Sequence, residues 1–71
     1  MNDLKQRFGK RLRQLRRERG LTQEQLAEAS DLSVDFVSLL ERGVNAPSFE
    51  TLEVLATVLD VPVRDLFYFG P

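Results

Sequence analysis

The stretch Leu21 to Gly43, LTQEQLAEASDLSVDFVSLLERG, constrains this chain more than any other, because two short helical patterns meet there across a turn of fixed length. Leu26, Ala27, Leu32, Val37 and Leu40 are the inward positions, with Phe36 beside them. Their spacing brings two helices together at a steep angle, a helix-turn-helix over residues 22–42. Ala27 is the expected point of tightest approach, since a methyl group lets backbones come close where a larger side chain holds them apart. Asp31 stands where the turn needs a left-handed residue; glycine is cheapest there, and Asp is one of the few alternatives.

Capping signals bound the same unit. Thr22 precedes Gln25 by three, so the hydroxyl accepts from an early amide while the glutamine reaches back, and a helix starts there. Ser33 starts the second helix, and Gly43, just past Glu41 and Arg42, ends it. Signals of different kinds agreeing on one unit are more specific than any one of them.

At 71 residues the chain has room for one domain, residues 1–71, with a small core and marginal stability. Leu4, Phe8, Leu12 and Leu15 form one apolar stripe on a first helix that Gly20 ends. After the loop GVNAPS, Ser48 caps a fourth helix from Phe49 to about Leu59, whose core stripe is Leu52, Leu55, Ala56 and Leu59 with Val58 alongside. Val61 and Pro62 break it, and Val63 to Phe67 form a last short turn or helix that closes the core with Leu66.

The net charge of −1 conceals a strong asymmetry: residues 1–20 carry eight cations against two carboxylates, and the remainder two cations against nine. Such polarity suits a molecule that turns one face to a polyanion. Arg16 is set apart, because it lies beside Leu12 and Leu15 near the core margin, where a guanidinium needs a partner.

The segments TQEQLAEASDLSVDFVSLLERG and NAPSFETLEVLATVLDVPVRDLF resemble the DNA-binding domain of the lambdoid-phage repressor and Cro type, the Xre-like family of bacterial and phage regulators. The likeness runs from about Phe8 to Phe67. It implies an all-α, compact five-helix domain whose third helix enters the major groove of double-stranded DNA, and a regulator of transcription, a repressor. It also implies that Arg16 pairs with Glu41 as a structural ion pair, and that the loop near Val44 and Asn45 runs along the DNA backbone. The sequence departs from the pattern at Asp31, where the family has glycine, and in a groove-facing set that is unusually apolar.

By the docking geometry of the motif, Val34, Asp35, Ser38, Leu39 and Arg42 face outward from the third helix. Val34 and Leu39 suit thymine methyls, Ser38 donates or accepts, and Asp35 accepts from a cytosine amino group, so these four are the candidate base readers. Arg13, Arg16, Arg17, Thr22, Gln23, Ser33, Arg42 and Asn45 are the candidate phosphate contacts, helped by the free amides at the start of the second helix. The alternative is that exposed Val34 and Leu39 dock a protein, as in an antitoxin or a regulator's partner, with weak groove binding.

The segment Leu66 to Phe69, which runs into the tail 67–71, is too apolar to be left wholly bare. Either it folds back on the core or it pairs with a second copy; a homodimer through helix 5 and the tail, reading a palindromic operator, is the expectation. With no histidine or cysteine, no phosphate-binding glycine loop and scattered carboxylates, the sequence offers no nucleophile and base pair and no metal cluster. No enzyme, cofactor, metal or small-molecule ligand is therefore expected. The lack of cysteine, of a ~20-residue apolar run and of an N-terminal signal segment makes the expected location cytoplasmic, with no membrane partner.

Overall fold

The computed structural model describes residues 3–71, all of whose regular structure is helical. Four α-helices follow in order: α1 Leu4–Glu18, α2 Gln23–Ala29, α3 Val34–Glu41 and α4 Phe49–Leu59. Each starts where a side chain satisfies a free amide. Thr22 and Gln25 form the reciprocal box at α2, while Ser33 accepts from Phe36 N at 3.0 Å and Ser48 from Thr51 N at 3.1 Å. Asp3 and Gln6 make a second reciprocal box at α1.

The expected fifth helix is a 3-10 helix, Val63–Phe67, so the α-helices number four among the described residues. Pro62 supplies its first acceptor, to Asp65 N at 2.9 Å, and five residues between a proline and an extended Tyr68 are too few to nucleate an α-helix.

The core is drawn from every element: Phe8, Leu12 and Leu15 of α1, Leu26 and Ala27 of α2, Val37 and Leu40 of α3, the α4 stripe, and Leu66. Leu4 departs from its expected place in the α1 stripe, being 53% exposed. Ala27 is buried as expected. A second close approach lies at Gly9: a Cβ there would lie 2.4 Å from the carbonyl oxygen of Leu40 and 2.6 Å from that of Glu41, so α1 and α3 touch backbone to backbone.

Ser30, the C-cap of α2, is 4% exposed and its Oγ has no hydrogen-bond partner. A buried hydroxyl without a partner carries its full desolvation penalty. Ser30→Ala is expected to stabilise the fold by about 1 kcal/mol, seen as a melting temperature raised by roughly 4–8 °C. A lowered melting temperature would show that the hydroxyl is satisfied.

Candidate nucleic-acid interface

The turn between α2 and α3 fixes how the second helix is presented. Asp31 has φ 56°, and Leu32 N donates to Ala27 O at 2.8 Å while Asp31 N donates to Glu28 O at 3.2 Å. This is the paired closure that ends helices at a left-handed residue, built here on aspartate. Gly43 repeats it at the end of α3, with φ 75° and Val44 N donating to Leu39 O at 3.0 Å. A Cβ at Gly43 would also lie 2.8 Å from Gln6 Cα, so the chain leaving α3 is pressed against α1.

Below the outward face lies a buried polar knot. Arg16 Nε donates to Glu41 Oε2 at 2.6 Å and its Nη2 to Glu41 Oε1 at 3.1 Å, the two-pronged geometry that suits a guanidinium and a carboxylate. Its Nη1 donates to Leu21 O at 2.7 Å. Gln23 Nε2 adds a bond to Glu41 Oε1 at 3.0 Å. One carboxylate at the end of α3 thus fixes the end of α1 and the first residue of α2 together.

That knot corrects one candidate. Arg16 is 7% exposed, and its Nε and both terminal nitrogens donate within the protein, so it is not placed to meet a phosphate. Gln23 is half-buried and tied to Glu41, a bond that sequence reasoning missed. Thr22 and Ser33 remain exposed while capping, and Arg42 is exposed beyond α3. Asn45 is half-buried, its N–H reaching Leu39 O at 3.4 Å.

Of the four candidate readers, Val34 and Asp35 are exposed in the first turn of α3, whereas Ser38 and Leu39 are half-buried. Val37, Leu40 and Glu41 on the opposite side are buried, so α3 has one face held and one face open.

The cations of α1 do not form the single grip that the charge count suggested. Arg7 lies over the Phe69 ring at 5.2 Å and Arg11 over the Tyr68 ring at 5.5 Å, with Arg11 Nε also donating to Asp65 O at 2.7 Å. Arg19 stands 3.9 Å from Asp60. Lys10, Arg13 and Arg17 are exposed on the side of α1 turned away from its buried residues.

The tail folds back on its own chain. Phe67 packs on Phe8 with ring centroids 5.4 Å apart, and Phe69 meets Phe67 edge-on at 6.4 Å. Tyr68 and Phe69 nevertheless stay exposed.

The family model for helix-turn-helix proteins matches residues 12–66. The chain belongs to the helix-turn-helix family. Among solved structures, it is similar to the restriction-modification controller protein C.AhdI from Aeromonas hydrophila, with a TM-score of 0.85 and 45% identity over 87% of this chain and 94% of that one. The HTH-type transcriptional regulator DdrOP3 of Deinococcus deserti is 50% identical over 56 residues, 79% of this chain. The control protein C.MunI of a Mycoplasma species is 38% identical over 68 residues, 94% of this chain and 92% of its own length. The chain spans 43% of the length of DdrOP3. The helix-turn-helix match starts at Leu12 and so leaves out Gly9, although a glycine inside a helix is itself a sign of close packing.

Proposed function

We propose that this chain is a sequence-specific, double-stranded DNA-binding regulator of transcription, a repressor that occupies promoter DNA with α3 in the major groove. The observation that carries the reading is the division of α3 into a locked face and an open one, with the start of α2 tied to its end through Gln23 and Glu41. Val34 and Asp35 meet base edges first, and Ser38 and Leu39 follow along the groove. Thr22, Gln23, Ser33, Arg42 and Asn45, with the first amides of α2, take phosphates on either side. Arg13 and Arg17 add attraction to the polyanion from the outer side of α1. The assigned role is binding rather than catalysis, at a cytoplasmic location where the DNA is accessible.

A homodimer through the 3-10 segment and the tail fits this role, since Val63, Tyr68 and Phe69 are left exposed after the tail has folded back. Two copies related by a two-fold axis read a palindromic operator. The competing reading, a protein-docking module, is favoured by one feature: Val34, Val44 and Phe49 are exposed, Phe49 to 83%.

Selection of bound fragments from a random DNA pool decides between them. Enrichment of a motif at low salt is expected, with affinity falling as salt rises in proportion to the phosphates neutralised. Asp35→Ala and Leu39→Ala are expected to change the preferred bases, each by about 1–3 kcal/mol of discrimination. A pool that stays random with the wild-type chain would leave the docking module as the function.

A further inference from the structure

Two exposed ridges of opposite charge have no ion-pair partner among the described residues. Lys10, Arg13 and Arg17, spaced three and four apart, share one side of α1 and border one shallow groove, with Glu18 at its margin. On α4, Glu50 and Glu53 rim a second groove whose floor is made by Ala29 at the end of α2 and by Val54 and Val58. Val54 is 40% exposed. Among the described residues, the ion pairs are Arg16 with Glu41 and Arg19 with Asp60, so neither ridge is neutralised internally.

An apolar floor edged by carboxylates suits a long cationic side chain, whose methylene stem covers the floor while its head reaches the rim. We propose that this chain associates with itself head to tail, Arg13 and Arg17 of one copy seated in the α2–α4 groove of the next, their guanidiniums on Glu50 and Glu53. The occupant is a second copy because the two ridges carry opposite charge and neither is paired among the described residues of its own chain. The two patches differ, so the contact is heterologous and does not close on itself. It differs in kind from the two-fold pairing through the tail, which joins like surfaces.

Exposed ion pairs are individually weak, so free copies associate weakly. Copies held side by side on neighbouring DNA sites meet at high effective concentration, and a cooperativity factor on the order of ten follows from a few such pairs.

The test needs no DNA and so stands whether or not the DNA reading does. In a concentration series of the whole chain followed by amide NMR, shifts are expected to move with concentration at Lys10 to Arg17 and at Glu50 to Val58, and to shrink with salt. R13E/R17E alone and E50R/E53R alone are expected to lose that dependence, since each makes both ridges alike in sign. An equimolar mixture of the two is expected to regain it, with shifts confined to the ridges. Wild-type shifts that do not respond to concentration at these residues, or a mixture whose shifts stay flat or spread over the whole surface, would overturn the proposal.

Discussion

Gly9→Ala is expected to lower the melting temperature by roughly 10–25 °C, the product of about 3 kcal/mol of destabilisation and the 4–8 °C per kcal/mol that small domains show. On helix propensity alone the change should help, by about 1 kcal/mol, because glycine is a poor helix former and α1 is otherwise regular. Sterics reverse the sign. The added methyl would sit 2.4 and 2.6 Å from two carbonyl oxygens of α3, and these are backbone atoms that cannot rotate aside. Relief requires α3 to move off α1, which opens the contact made by Phe8 and Leu12 and strains the Arg16–Glu41 pair. A domain of this size holds only about 4–10 kcal/mol in total, so the loss is a large share of it. Thermal unfolding followed by circular dichroism checks this; an alanine variant that melts at or above the wild-type temperature would mean that α1 and α3 are not in backbone contact.

Why was Ala27 legible as a tight point and Gly9 not? Ala27 lies in the apolar pattern of a motif with a known crossing, whereas the approach of α1 to α3 depends on a crossing angle between segments about thirty residues apart in the chain. Local chemistry was far more legible. The caps at Thr22, Ser33 and Ser48 and the left-handed turn at Asp31 follow from groups three residues apart or from one backbone angle, and all are present. The same logic would have found the box between Asp3 and Gln6, which is written in the sequence as plainly as that of Thr22 and Gln25.

Charge was the least legible quantity, because a count has no direction. Eight cations in twenty residues suggested one basic face. The helix instead distributes them: Arg16 goes inward, Arg7 and Arg11 cover the tail's rings, and Lys10, Arg13 and Arg17 point outward. Apolar composition did indicate that part of the tail must be covered, as Phe67 is. It gave no means of choosing Phe8 as the surface that receives Phe67.

Glu41→Ala is expected to destabilise the fold by about 3–5 kcal/mol, against at most ~0.5 kcal/mol for an ordinary surface change. The Glu41 side chain is 2% exposed and accepts from both Arg16 and Gln23, so its removal leaves Arg16 buried with Leu21 O as its one remaining acceptor among the described residues. A buried pair is costly to break and contributes little net stability when whole, because desolvation offsets the attraction. The double variant Arg16→Met/Glu41→Leu is therefore expected to recover most of the stability lost by either single change. It should not recover the positioning of α2. With Glu41 gone, Gln23 Nε2 loses the bond that fixes the start of α2 against the end of α3, and affinity for DNA falls even though the melting temperature returns. Melting curves and DNA titrations on the two variants separate the two effects. A Glu41→Ala protein as stable as the wild type would refute the buried-charge account, and a double variant with wild-type DNA affinity would show that the knot holds the fold without tuning the interface.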